Sequence, residues 1–296
     1  MGFKLMSEKT MQTPIANPPI GQMIDKETKL FGYIADMATA SKIPRAFSKF
    51  CLENGDNASM VGMNIREDDL HFTLTGMKSS QIKGALLGNE YRKDALSAMD
   101  HITKEAEICG FIDACTVQEG KLIGHIATGN AIAALIKVKQ TKKIAIYGAG
   151  SLAKSIVLNL EDSGFEEIVL FVDRVESAME LIEAVSPYVT KLKFDIERAI
   201  PGSSIDGSSY DVIINASSSG MLADDKVIKL ENIKAKQIVD LAFNKQTTPS
   251  LFESMAKAGE ASYIGGYDII AQAAKLHYSI WFEKQPQVDF MIIERG

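Results

Sequence analysis

Residues 142–155, KKIAIYGAGSLAKS, constrain this chain more than any other stretch. A short apolar run leads into Gly148-Ala149-Gly150-Ser151-Leu152-Ala153, after which Leu152, Ile156, Val157 and Leu160 fall at helical spacing. Strand, glycine turn and helix in succession fit G-x-G-x-x-G/A. The first glycine makes the turn, the second lets a pyrophosphate approach the backbone, and the small third position lets helix pack on strand. Amides at the helix N-terminus favour the phosphate charge. The next apolar strand, 168–173, ends at Asp173, roughly 25 residues on, where a carboxylate suits an adenosine ribose. The expected cofactor is NAD or NADP. Asp173 would bond the ribose hydroxyls of NAD and repel a 2′-phosphate, whereas Arg174 would attract one. The pair leans to NAD.

The glycine loop lies mid-chain, so the rest must be accounted for around it. A length of 296 residues favours two domains. From residue 30 the pattern alternates: strand 30–35, helix 42–55 with Pro44 in its first turn, strand 58–65, helix 68–80, strand 82–88, helix 91–108 and a hairpin over 111–126 turning at Glu119-Gly120. A second series follows: helix 130–140, then strands 144–147, 168–173, 211–217 and 237–243 separated by helical stretches, and a last helix over 267–285. The fold class is α/β, an N-terminal α/β substrate domain plus a C-terminal Rossmann-type doubly wound parallel sheet. The expected boundaries are a loose extension over 1–23, a substrate domain over 24–128 joined by the returning segment 266–296, and a dinucleotide-binding domain over 129–265.

Composition narrows the partners. A formal net charge of −6 with no basic stripe argues against nucleic acid. No run of apolar residues is long enough for a membrane span. Cys51, Cys109 and Cys115 lack paired or metal-like spacing, so we expect reduced thiols, a cytoplasmic location and no metal site. The expected partner is a small-molecule substrate, and the expected state a monomer or homodimer.

Five stretches in order resemble the shikimate/quinate dehydrogenases: GAGSLAKS (148–155), NASSSGM (215–221), DLAFNKQTTPSL (240–251), GGYDIIAQAA (265–274) and the two-strand run 103–129. The resemblance implies a cleft between the two domains, with the substrate carbinol facing the nicotinamide. It implies cofactor contacts from Gly148, Ala149, Gly150, Ser151, Leu152, Asp173, Arg174, Asn215, Ala216, Ser217 and Gly265. On the substrate side it points to Ser41, Asp113, Phe243 and Gln272, and to the role of the shikimate pathway in aromatic amino acid biosynthesis.

The family's lysine–aspartate proton pair is not kept. Counting from Gly84 and from Asp100 both place Arg92 at the lysine position, and Lys93 takes it only with an inserted residue. Thr128 stands at the aspartate position, Asp113 at an asparagine and Phe243 at a tyrosine; Ser41 keeps one of two paired serines. Arginine is effectively never deprotonated, so Arg92 can fix or polarise a substrate but not shuttle a proton. Arg92, Thr128, Lys93 and His125 are the catalytic candidates. His125 or Lys93 would carry the proton, Asp113 would pair with Arg92 or bond a substrate hydroxyl, and a structural role remains open for each. The expected function is an NAD(P)-dependent oxidoreductase of the shikimate dehydrogenase type, acting on a small cyclic hydroxy acid or related alcohol or ketone with altered substrate and acid–base residues. The alternative is a non-catalytic NAD(P)- and metabolite-binding sensor or accessory protein.

Overall fold

The computed structural model describes residues 24–138, 142–161, 163–219, 228–241 and 250–292. Two six-stranded sheets organise it. The first contains β1 (Lys29–Ala35), β2 (Ala58–Asn64), β3 (Ile82–Leu87), β4 (His101–Ile102), β5 (Ala114–Gln118) and β6 (Lys121–His125), in the order β2-β1-β3-β5-β6-β4. Parallel neighbours need crossovers. Helices α1 (Ile43–Glu53) and α2 (Leu70–Met77) supply them between β1, β2 and β3. β5 runs antiparallel to both β3 and β6. The β5–β6 hairpin turns on Glu119 and Gly120, both at positive φ (52° and 74°) as a two-residue turn demands.

The second sheet contains β7 (Lys143–Tyr147), β8 (Glu167–Val172), β9 (Lys193–Arg198), β11 (Val212–Asn215), β13 (Gln237–Asp240) and β14 (Ser262–Ile264). Its order is β14-β13-β11-β7-β8-β9 and every pair is parallel. β10 (Ser204–Asp206) and β12 (Lys229–Glu231) pair in a separate small sheet. Alternation along β7 divides its two faces. Ile144 and Ile146 enter the core that holds α5 (Ser151–Leu160) and α6 (Val175–Val185), while Ala145 and Tyr147 enter the core that holds α7 (Leu251–Ala258). Both faces are covered, as a parallel sheet requires.

α3 (Lys104–Cys109), α4 (Thr128–Leu135) and α8 (Gly266–Phe282) join the halves. α8 returns to the first sheet, where Trp281 stacks on Phe31 at 4.5 Å and Tyr278 meets Phe50 edge-on at 5.1 Å. The Tyr278 hydroxyl donates to Asp56, which Lys284 also pairs at 2.8 Å. Across the junction, Ser155 Oγ and Asn159 Nδ2 of α5 donate to Glu105 of α3 at 2.6 and 2.9 Å.

Two expectations need correction. Residues 91–108 are not one helix but short 3-10 turns over 89–91 and 94–98, then β4, then α3. Asp100 is the cause: its carboxylate accepts from Leu122 N and Lys78 Nζ, both at 2.8 Å, and ties the chain extended alongside β6. His101 therefore sits on a strand rather than a helix surface. The helix expected over 130–140 starts at Thr128 and ends at Leu135, because Ile136 turns extended (ψ 105°). The expected extension, residues 1–23, lies outside the described residues.

Candidate active site at the junction of the two sheets

At the C-terminal edge of the second sheet, β7 and β11 are the neighbours between which the strand order reverses, the switch point where such sheets bind ligands. Gly148 follows β7 with φ 100°, and its N–H donates to Phe171 O at 2.9 Å. A Cβ there would lie 3.1 Å from Ser217 N and 3.2 Å from the Ala216 carbonyl. Gly150 is extended and exposed, with nothing within 4 Å of a Cβ built on it. α5 opens at Ser151, and Ala153 behind it is fully buried. Open space over a glycine at the mouth of a helix fits a pyrophosphate. Leu152 packs against the cores of both halves. Asp173 and Arg174 are exposed after β8. Asp173 Oδ1 accepts from Arg174 N at 2.8 Å, and the guanidinium donates to Ser177 Oγ at 3.2 Å.

Asn215 is fully buried and spends its side chain internally. Its Nδ2 donates to Asp240 Oδ1 (2.9 Å) and Ser219 O (3.0 Å), and its Oδ1 accepts from Ser217 N and Oγ (3.2 and 2.7 Å). Asp240 also accepts from Ser250 Oγ and the Tyr263 hydroxyl. The side chain of Asn215 thus shapes the loop 215–219 that faces Gly148. Gly265 begins α8, its N–H donating to Asp268 Oδ2 at 2.9 Å.

The second half of the site is built on Asp113, which directly precedes β5. Its carboxylate accepts from Ala127 N (3.0 Å to each oxygen), Thr128 N (2.9 Å) and Thr128 Oγ1 (2.6 Å), and faces His277 Nε2 at 3.2 Å. It thereby caps α4. Burial alone would raise this carboxyl. The His277 imidazole, its hydrogen bond, Arg92 and Thr128 instead hold it well below the usual carboxylate range. The rings of His277 and His125 lie 5.3 Å apart, and Trp281 stacks on His277 at 5.8 Å. Burial, then the neighbouring His277, pushes His125 down to about 4. Among the described residues, Arg92 Nε, His125 Nε2, His277 Nδ1 and Trp281 Nε1 are buried with no hydrogen-bond partner.

The structure thus brings Arg92, Asp113, His125 and Thr128 together, and adds His277 and Trp281 from α8. Arg92 also acts on Tyr33, whose phenol burial pushes up and to which Ser41 hydrogen-bonds. Lys93 is exposed at the start of the turn over 94–98. Gln272 is half-buried on α8, and Phe243 lies outside the described residues. Sequence reasoning missed His277. The signal was there: it continues the apolar stripe Ile269, Ala273 at four-residue steps, a polar residue on a buried face. Among the described residues no three His, Cys, Asp or Glu side chains converge as a metal site.

No family model matches the chain. It is 26% identical over 277 residues to the shikimate dehydrogenase (NADP+) of Methanocaldococcus jannaschii, covering 91% of this chain and 96% of that protein. Among solved structures, the 5-ketofructose reductase of a Gluconobacter strain superposes with a TM-score of 0.76 at 19% identity, over 89% of this chain and 96% of that one. The shikimate 5-dehydrogenase of Listeria monocytogenes, in complex with shikimate and NAD, superposes with a TM-score of 0.72 at 17% identity, over 89% and 95%. Over nearly its whole length the chain is thus similar to shikimate dehydrogenases, and it shares the two-sheet fold of the shikimate dehydrogenase and 5-ketofructose reductase structures.

Proposed function

We propose that this chain is an NAD(P)-dependent oxidoreductase of the shikimate dehydrogenase type, with NAD as its preferred cofactor and a substrate other than shikimate. The observation that carries the reading is the glycine loop. Gly148 holds a positive φ against the 215–217 loop, and Gly150 leaves open space at the start of α5. The residues that would hold the dinucleotide are Gly148 to Leu152 at the pyrophosphate and Asp173 at the ribose, with Ala216 and Ser217 across the crevice. When bound, that cofactor supplies the hydride acceptor or donor for a secondary alcohol or its ketone.

The chain's own residues have other tasks. Arg92, half-buried with a buried, unpartnered Nε, offers a fixed positive charge to a substrate oxygen or carboxylate. Thr128 has its hydroxyl engaged by Asp113, so it holds that carboxylate rather than the substrate proton. Neutral His125 supports the buried cluster. These departures, and the lone Ser41 where relatives are expected to carry two serines, argue for a small polar substrate differing from shikimate. Because a reductase of a sugar ketone shares the fold, ketoses belong in the screen.

The test is to measure binding of NAD(H) and NADP(H) by nucleotide fluorescence, then redox change with shikimate, quinate, fructose and related ketoses. Binding with turnover of a compound other than shikimate is expected. Failure of both nucleotides to bind sinks the reading. Brisk turnover of shikimate removes the altered-substrate part of it.

A further inference from the structure

Building on the dehydrogenase reading, we propose that His277 is the residue that takes and returns the substrate proton, with Asp113 as the carboxylate that holds it. The substitutions at 92 and 128 leave the proton without its expected carrier, yet a carboxylate is still present beside position 128. Thr128 Oγ1 donates to Asp113 at 2.6 Å, and the same carboxylate faces His277 Nε2 at 3.2 Å. The other ring nitrogen, Nδ1, is buried and has no partner among the described residues. A histidine oriented through one nitrogen by a carboxylate, with the other nitrogen free, has the arrangement of a general base.

Its place in the fold supports the assignment. Asp113 caps α4, and Gly129, one residue beyond Thr128, lies directly against Ser155 of α5, the helix behind the glycine loop. The couple therefore sits at the junction of the sheets rather than at the far end of either. The charged and titratable groups around it are Arg92 after β3, Asp113 before β5, His125 on β6 and Glu105 on α3. Arg92 does not give up its proton, and Glu105 is bonded to Ser155 and Asn159. His125 is as buried as His277, but of the two rings it is His277 that faces the Asp113 carboxylate at ion-pair distance, and Lys93 is exposed. His277 is the remaining carrier.

In the direction alcohol to ketone, the substrate O–H bond breaks and its proton goes to Nδ1. The electron pair of the adjacent C–H bond leaves as hydride to the nicotinamide. Asp113 stays ionised and faces the imidazolium. In the reverse direction Nδ1 returns the proton to the new alkoxide oxygen.

The chain has four histidines, of which His71 and His101 are exposed and His125 and His277 buried, so ring signals are assignable by single variants. Imidazole proton–nitrogen correlation spectra are recorded on the full chain with NADH or NADPH, before and after adding quinate, shikimate or fructose. A protected Nε2–H that vanishes in Asp113→Asn, and an Nδ1 resonance that moves with at least one of these compounds, are expected. If a nucleotide binds and Nδ1 ignores every compound, the assignment is overturned while the dehydrogenase reading stands. If no nucleotide binds, that reading falls and takes the assignment with it. With any compound that turns over, His277→Gln keeps a donor for Asp113 but cannot carry a proton. It should lower kcat about 100-fold or more with KM little changed, and flatten the pH profile of kcat. A kcat within about threefold of the parent's overturns the proposal.

Discussion

Asp113 is 3% exposed, and at that depth a carboxylate survives only if each lone pair is matched. Two backbone amides, one hydroxyl and one imidazole match it. His125 beside it is the opposite case, a buried ring kept neutral. Its folded pKa of about 4 lies below the ordinary 6.5, so between those values the unfolded chain binds the extra proton. Stability should be fully present above pH ~6.5 and fall as pH drops toward ~4, by on the order of 3 kcal/mol in all. Urea titrations at steps between pH 7 and pH 4.5 check this. His125→Gln should remove most of the slope above pH 5, and an unchanged slope would assign it to other groups. At the nucleotide end, Asp173→Ser should raise affinity for NADP(H) relative to NAD(H) about tenfold, by removing a charge that repels the 2′-phosphate. Fluorescence titration of both reduced nucleotides measures the ratio.

Element by element, the legible parts were those whose pattern needs no distant partner. The β1, β3 and β7 runs, the Glu119-Gly120 hairpin and the glycine loop followed from alternation, turn chemistry and spacing. Residues 91–108 did not, because Asp100 reaches 22 residues forward to Leu122 and converts helix-like spacing into turns and a strand. β9 was missed for a related reason: its alternating, half-exposed residues carry little apolar signal, and its place at the sheet edge is a tertiary fact. The candidate site divides the same way. The glycine loop and Asp173 were readable in one stretch, whereas the Asp113–His277 pair joins residues 164 apart and only the return of α8 brings them together. Asp113 also decides where α4 starts, because its carboxylate takes the amides of Ala127 and Thr128. Asp113→Asn should cost about 3 kcal/mol, since it removes the charge opposite His277 and weakens the cap. Thr128→Val, which deletes one hydrogen bond and keeps the shape, should cost about 1 kcal/mol. Chemical denaturation of the two variants side by side tests the ordering, and equal costs would place the stabilisation in packing rather than in the carboxylate.

For the whole molecule, the two sheets are coupled where α4 and α5 touch, and the contact depends on one missing side chain. A Cβ on Gly129 would lie 2.1 Å from Ser155 Oγ and 2.5 Å from the Ser155 carbonyl oxygen. The hydroxyl can rotate away, but it is bonded to Glu105, and the carbonyl belongs to the helix backbone and cannot yield without moving α5. Gly129→Ala therefore forces the helices apart, although alanine suits a helix better than glycine by about 1 kcal/mol. Overpacking of this kind typically costs about 1–3 kcal/mol, so the net change should be destabilising. The displacement also moves Thr128, and with it Asp113 and His277, away from the glycine loop. The expected result is a lower melting temperature together with a loss of turnover larger than the loss of nucleotide affinity, because the glycine loop shifts with α5 and keeps its own shape while its alignment with Thr128, Asp113 and His277 is lost. Calorimetry and nucleotide titration on one preparation separate the two effects. A stabilised variant with unchanged turnover would mean that α4 and α5 are free to slide, and that the two halves do not depend on this contact for their alignment.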